Sequence, residues 1–380
     1  MKLGLFTMPC HPPHRRHADT FDEDMEFLVL ADQLGFEEAW IGEHTATTWE
    51  NIPVPEMFIV QALERTRHMK LGTGVSCIPN HNPAHLAARI AQMDIMGKGR
   101  FLWGIGVGAT PGDGILFNVD QSGPHRDISR ERVDVVLRIW ADQGEGFSWS
   151  SDNPPASFTL PKHEPWRGIG WHIKPLTLPH PPIAVAGISR GSSTLRWAGE
   201  RGWIPMSLHF LNAADLRSHW AAYAESAEAA GRTPDRAEWR ICRDIYVADT
   251  DEQARREALE SSMAYAYQEY FFPLLRSVNG TNLWFDRDDM REEDVTLEHL
   301  LNTRWVVGSP DTVARHLRDL YDAVGGYGGL LMLGYDWEGE NGPRWRRSME
   351  LLANEVMPRL ADLTGAALPA ATGHRRSAGS

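Results

Sequence analysis

Short apolar runs rich in β-branched residues and glycine alternate along this chain with longer stretches whose apolar positions recur at helical spacing. The clearest unit spans Met69 to Gly108. Lys70 to Val75 reads as a strand. Pro83 begins a helix in which Ala84, Ala87, Ala88, Ala91, Ile95 and Met96 fall near helical spacing, and Gly97 and Gly99 end it before the apolar run Phe101 to Val107. Parallel strands need a crossover helix of this kind. The pattern yields eight strands: Lys2 to Met8, Glu38 to Gly42, Lys70 to Ser76, Phe101 to Val107, Ile183 to Ala186, Trp203 to Ser207, Trp239 to Val247 and Gly329 to Leu333. Helical patterns between them include Asp22 to Leu34, Arg126 to Trp140, Ser192 to Glu200, Ala213 to Ala230, Asp251 to Tyr267, Asp311 to Ala323 and Trp345 to Leu360. This alternation predicts an α/β protein, a (β/α)8 TIM barrel whose chemistry sits beyond the strand C-termini, with a doubly wound sheet as the competing arrangement.

Two stretches exceed a minimal barrel. Gly144 to Pro182, after the fourth helix, is rich in Pro, Gly, Trp and His, with a hairpin pattern around Phe158; Tyr267 to Arg304, after the seventh helix, is polar and aromatic. Insertions of this length in barrels form lids or binding loops. One domain over residues 1–365 is expected, and the small, patternless tail 366–380 reads as disordered.

Charge narrows the classes. Lys plus Arg number 38 against 51 Asp plus Glu, a net charge of -13, which argues against a nucleic-acid surface. Hydrophobic content of 42% and charged content of 23% fit a soluble globular protein, and no apolar run approaches a membrane span. With a strand pattern at the first residue and three scattered cysteines outside any CxxC pair, the expectation is a cytoplasmic protein.

Several motifs suggest chemistry. Ala186, Gly187, Ser189, Arg190, Gly191, Ser192 and Thr194 follow the fifth strand and open a helix; small residues, capping hydroxyls and one guanidinium suit a phosphate, and equally a plain serine-rich N-cap. Gly104, Gly106 and Gly108 imitate a dinucleotide fingerprint, but Pro111 and Gly112 follow where a helix should begin, so a Rossmann site is not expected. His11, His14 and His17 cluster in a Pro- and Arg-rich loop without a carboxylate or thiolate at ligand spacing, and no metal is expected. Ser189 and Ser192 lack a GxSxG elbow, which disfavours a hydrolase.

The ordered set MKLGLFT, GFEEAWIGEH (Gly35 to His44), LGTGVSCIPNHNPAHLAARIAQMD (Leu71 to Asp94), GKGRFLWGIGVG (Gly97 to Gly108), HPPIAVAGISRGSSTLRWAGERG (His180 to Gly202) and VVGSPDTVARHL (Val306 to Leu317) resembles the bacterial luciferase-like flavin-dependent monooxygenases over almost the whole chain. HIKPLTLPHPPI (His172 to Ile183) is similar to the branch commonly labelled limonene 1,2-monooxygenase. The resemblance implies a dimeric or larger barrel that receives reduced FMN, or FAD, from a separate flavin reductase and uses O2 to oxygenate a small hydrophobic substrate. It also leaves open a deazaflavin-dependent dehydrogenase and a non-catalytic flavin-binding protein.

By the same resemblance, His44 is the catalytic residue, serving the oxygen chemistry as proton donor or acceptor, a task suited to imidazole near neutrality. The family's Glu-His-His reads Glu43, His44, Thr45 here, so a second histidine is missing, and Glu43 is expected to be structural. Gly74, Val75 and Ser76 match the strand where relatives lay the flavin ring on the backbone, often at a non-proline cis peptide, with Gly74 leaving room for it. Gly106 stands at the fourth-strand turn, where bacterial luciferase carries an arginine and this chain has Val107, leaving Arg190 as the phosphate's cation, with His125 and Arg126 as substitutes. Phe6, Met8, Trp40, Trp103, Met206 and Leu208, with Trp49 and Phe210 further out, are candidate walls of a dry pocket, or ordinary barrel core.

Overall fold

A computed structural model describes residues 1–108, 110–119, 125–152 and 154–363. Eight parallel strands close into a barrel: β1 (Lys2–Thr7), β2 (Glu38–Ile41), β3 (Lys70–Thr73, continued by Ser76–Cys77), β4 (Phe101–Gly106), β5 (Ile183–Gly187), β6 (Ile204–Ser207), β7 (Arg240–Arg243) and β8 (Gly329–Leu333). Neighbours in sequence are neighbours in space. Strand β8 returns to pair with β1 from Lys2↔Gly329 to Phe6↔Leu333, and β3 meets β4 at Leu71↔Phe101. Strands buried on both sides explain why the apolar runs were continuous rather than alternating.

The expected strand Trp239 to Val247 breaks at Asp244: only Arg240–Arg243 joins the barrel, while Ile245–Val247 pairs with Val306–Gly308 in a separate two-stranded sheet. At the break the Asp244 carboxylate is buried and accepts from Tyr267 and Tyr335, bonds that a regular barrel strand does not provide. The expected helix Asp251 to Tyr267 likewise divides, at Ser261, into Asp251–Glu260 and Ser262–Ala266, followed by a π-turn at Tyr267–Phe271. Two further helices, Pro55–Arg65 and Pro111–Leu116, carry proline in the first turn, where its missing N–H costs nothing. The second of these corrects the reading of Pro111 as a break; what excludes a dinucleotide fold is the closed barrel. The hairpin around Phe158 is present as Phe147–Asp152 against Pro155–Leu160. No helix among the described residues is long and apolar enough to cross a membrane. The expected tail 366–380 lies outside the described residues.

At the N-terminal end of the barrel, Glu38 opens β2 and Arg240 opens β7. Their side chains meet as a two-pronged ion pair, Nε–Oε1 at 3.0 Å and Nη2–Oε2 at 3.2 Å, each about 4% exposed. Planar guanidinium and carboxylate match in geometry, and Trp40 Nε1 donates to the same Oε1 at 3.1 Å. Arg240→Leu leaves that carboxylate buried without its partner, so a loss on the order of 3 to 5 kcal/mol is expected in urea unfolding; a loss below about 1 kcal/mol would show that the pair does not hold this end closed.

Candidate active site

His44 leaves the C-terminal end of β2, the face where barrel enzymes carry their chemistry. Both ring nitrogens meet carboxylates: Nε2 is 2.7 Å from Glu50 Oε2, and Nδ1 is 3.3 Å from Asp113 Oδ2. Burial alone would lower the imidazole's pKa, but Glu50 and Asp113 together outweigh it and raise the group from 6.5 to about 10. His44 is therefore an imidazolium at neutral pH. Asp113 is itself anchored: its Oδ1 accepts from the amides of Thr45 (2.9 Å) and Ala46 (2.7 Å), and its Oδ2 from Thr110 Oγ1 (2.7 Å). Burial works against the carboxylate, yet the bonds from His44, Thr110 and the two amides bring it down to about 2. Thr45, standing where a second histidine was absent, thus contributes its backbone. Glu50 Oε1 accepts from Tyr270 Oη at 2.6 Å, and Tyr270 stacks on Trp49 with ring centroids 5.6 Å apart. The polar cluster is in this way roofed by an aromatic pair, Trp49 from the loop after β2 and Tyr270 from the insertion after the seventh helix.

Glu43 points elsewhere, to His81 Nε2 at 2.8 Å and the Cys77 amide at 3.2 Å, and His81 in turn contacts Arg89. It fixes the turn after β3, as a structural carboxylate does. Between the two halves of β3 the Gly74–Val75 peptide is cis. Gly74 is expected to leave space for a ring; a Cβ there would also sit 2.8 Å from Trp40 Cβ and 2.9 Å from its carbonyl carbon, so the packing of β3 on β2 needs the glycine as well. Gly106 lies under Val75, whose Cγ2 would be 2.3 Å from an added Cβ. Val75 is the partly exposed member of the group. Ser76 is fully buried, bonded to Thr73 Oγ1 (3.2 Å) and to Trp103 Nε1 (3.3 Å), so its hydroxyl faces the core rather than the mouth.

The loop after β5 is tied down from below. Trp239 Nε1 donates to Ser207 Oγ (3.0 Å), Ser207 meets His219 Nδ1 (3.0 Å), and His219 Nε2 meets the Ser189 carbonyl (2.8 Å). Since a carbonyl only accepts, Nε2 carries the proton and Nδ1 accepts from Ser207. Burial lowers His219 to about 4, in keeping with this neutral tautomer. Ser192 caps the helix Ser193–Arg201 and bonds to Thr194 (2.8 Å), which reaches back to the Ala186 carbonyl (2.8 Å). Gly187 lies beneath Ser192 Oγ, and Gly191, at φ +62°, faces open space. The fit to an anion rests on Ser193: its Oγ is buried and unpartnered at the first helical position, beside the free amides of the first turn. Arg190 does not stand free for this purpose, because its Nε donates to Asp215 Oδ1 at 2.7 Å and its side chain is 73% exposed. His125, the first residue of the neighbouring helix His125–Ala141, has both ring nitrogens buried without a partner among the described residues. The two helices are held side by side by Arg130 on Glu200 (3.3 Å) and Arg201 on Asp134 (2.6 Å).

Of the expected wall residues, Trp40, Trp103 and Met206 are fully buried, and Trp103 packs edge-on against Trp140 on the outer helix; these three are core. Met8 and Leu208 stay partly exposed, while Trp49 and Phe210 join the aromatic roof. His11 gathers three carboxylates that spacing along the chain did not reveal: Asp336 (2.6 Å), Asp24 (3.1 Å) and Glu23 (3.6 Å). Arg15 bonds to Glu23 (2.7 Å) and to Asp336, so a guanidinium occupies the cation's place. Glu50, Asp113 and Tyr270 were not anticipated at all, being 6, 69 and 226 residues from His44 in sequence.

A family model described as luciferase-like monooxygenase matches residues 1–327. The 3,6-diketocamphane 1,6-monooxygenase of Pseudomonas putida is 31% identical over 95% of this chain and 98% of that protein. The limonene 1,2-monooxygenase of Rhodococcus erythropolis is 28% identical over 94% of this chain and 86% of that protein. Among solved structures, the oxygenating constituent of 3,6-diketocamphane monooxygenase from Pseudomonas putida, a type II Baeyer-Villiger monooxygenase in complex with FMN, superposes with a TM-score of 0.84 at 32% identity, covering 94% of this chain and 98% of that one.

The His44 cluster predicts a defined pH response. A histidine whose folded pKa is raised from 6.5 to about 10 stabilises the fold fully below 6.5, and that contribution is lost as pH rises through about 10. Asp113, lowered from 3.8 to about 2, contributes above 3.8 and loses its share as pH falls through about 2. In Glu50→Gln the His44 ring should titrate at least one unit lower by NMR, with the stability difference from wild type narrowing at high pH. An unchanged ring titration would show that Glu50 does not hold the charge.

Proposed function

The chain belongs to the luciferase-like monooxygenase family, so it is an oxidoreductase, and from that premise we propose that it is the oxygenating component of a two-component system. In this reading a separate flavin reductase supplies reduced FMN, and one atom of O2 is inserted into a small hydrophobic organic molecule. The observation that carries it is the likeness to the FMN-bound oxygenating constituent over 94% of this chain.

Bound at the barrel mouth, reduced FMN supplies the electrons that activate O2. The residues here would do the rest. Val75, on the cis peptide, offers a backbone face for the ring. The Ser193 hydroxyl and the amides opening its helix take the phosphate, with His125 on the adjacent helix as a second donor and Arg190 available once it leaves Asp215. His44 enters the cycle as an imidazolium, so its first act is to give a proton or to hold developing negative charge. It can accept a proton only after it has given one up, because both nitrogens of the imidazolium are donors to Glu50 and Asp113. Trp49 and Tyr270 exclude water from that exchange.

Labelled O2 tests the reading. With reduced FMN and a panel of terpenes, aldehydes and ketones, one labelled oxygen atom should enter the product, and His44→Ala should slow turnover by roughly 10² to 10⁴ while the variant still takes up FMN. Turnover without oxygen on reduced deazaflavin, or flavin uptake with no turnover of any substrate, would contradict it.

A further inference from the structure

The loop after β5 is docked on one face of the helix Ala213–Ala229. Asp215, Ser218 and His219 are neighbours on that face, being three and four residues apart, and each holds one of three consecutive loop residues. His219 Nε2 donates to the Ser189 carbonyl at 2.8 Å, the Gly191 amide donates to Ser218 Oγ at 3.1 Å, and Arg190 Nε donates to Asp215 Oδ1 at 2.7 Å. Ser218 Oγ is fixed in turn by donating to the Asp215 carbonyl at 2.7 Å. Two of the three ties are made by the loop's main chain, so they set its backbone. The tie at Arg190 alone is made by a side chain, which is 73% exposed while its partner carboxylate is 11% exposed. The guanidinium can therefore change partners without moving the loop.

We propose that Asp215 competes with the flavin phosphate for Arg190, so that the free protein keeps this cation engaged and phosphate binding has to take it from a carboxylate. The inference rests on the flavin reading above and concerns the regulation of that same site: Asp215 weakens the hold on the anionic end and favours its release.

Charge and position argue for an exchange rather than a permanent pair. Only Gly191 and Ser192 separate Arg190 from Ser193, whose hydroxyl is buried and unpartnered. An exposed pair of this kind adds little net stability, because water screens it and two side chains must be held in place. A phosphate monoester brings about two negative charges and three strong acceptor oxygens, and it can use the terminal guanidinium nitrogens that Asp215 leaves unbonded. The field of Asp288, from the insertion after the seventh helix, reaches the same guanidinium, so the negative surroundings of Arg190 come from two elements. A site whose binding-competent arrangement is only partly populated binds more weakly in proportion. Such a site suits a protein that takes reduced flavin from a separate reductase and gives it up after oxidation.

The test titrates the full chain with oxidised FMN and with riboflavin, which has the same ring and no phosphate, and follows flavin fluorescence. Wild type should bind FMN more tightly than riboflavin. Asp215→Asn should tighten FMN about two- to fivefold, the range set by the modest worth of an exposed pair, and leave riboflavin unmoved. Arg190→Met should weaken FMN alone, and adding Asp215→Asn to it should bring no gain, since no cation is left to release. Should Asp215→Asn fail to fold, Asp215→Ser carries the same expectation. FMN affinity unchanged or lowered by the substitution at Asp215, an equal gain for riboflavin, or a gain that persists beside Arg190→Met would overturn the proposal; the last would show plain repulsion between Asp215 and the phosphate. Equal affinity of wild type for the two flavins overturns it too and leaves the flavin reading standing, whereas uptake of neither flavin overturns both.

Discussion

An imidazole gripped by carboxylates on both nitrogens organises the mouth of this barrel, because each partner of His44 arrives from a different part of the chain. Glu50 comes from the loop after β2, and Asp113 from the short helix after β4. Tyr270, from the insertion after the seventh helix, completes the set through Glu50. Burying such charges costs several kcal/mol each in desolvation, and the cost is offset only while all partners stay in place. The amides of Thr45 and Ala46 and the Thr110 hydroxyl add the bonds that a lone ion pair would lack. The arrangement thus couples the position of three loops to the protonation of one ring.

The two ends of the barrel use charge differently. At the N-terminal end, Glu38 and Arg240 pair with each other, and Trp40 and Glu238 take up their remaining bonding capacity. At the C-terminal end, the bonds stop short of completion: Ser193 Oγ, both nitrogens of His125 and both nitrogens of His209 are buried and unpartnered. A closed end and an end with bonding capacity to spare are what a fold needs if one face is for stability and the other for chemistry. The chain from Trp239 through Ser207 and His219 to Ser189 links them, running from a fully buried indole to the loop that precedes the helix Ser193–Arg201.

The barrel was legible because parallel strands buried on both faces leave continuous apolar runs, and seven of the eight strands stand close to where the runs place them. The seventh was over-extended. Nothing in Trp239 to Val247 marks Asp244 as a break, since its effect depends on Tyr267 and Tyr335, far away in sequence. The place of His44 at the C-terminal end of β2 was legible through family resemblance. Its carboxylates were not, because Glu50 in a loop and Asp113 in a short helix stand in unremarkable local contexts and acquire their roles only when the barrel closes. Gly74 shows what pattern alone misses, since the absence of its side chain is also required by Trp40. Ser76 is similar, its hydroxyl taken up by Thr73 and Trp103.

A crystal structure of the protein soaked with FMN tests the central claim most directly. The account predicts the ring against Val75 within reach of His44, and the phosphate on the amides that open Ser193–Arg201. A phosphate seated away from Ser193, or a ring separated from His44 by side chains that fill the mouth, would contradict it.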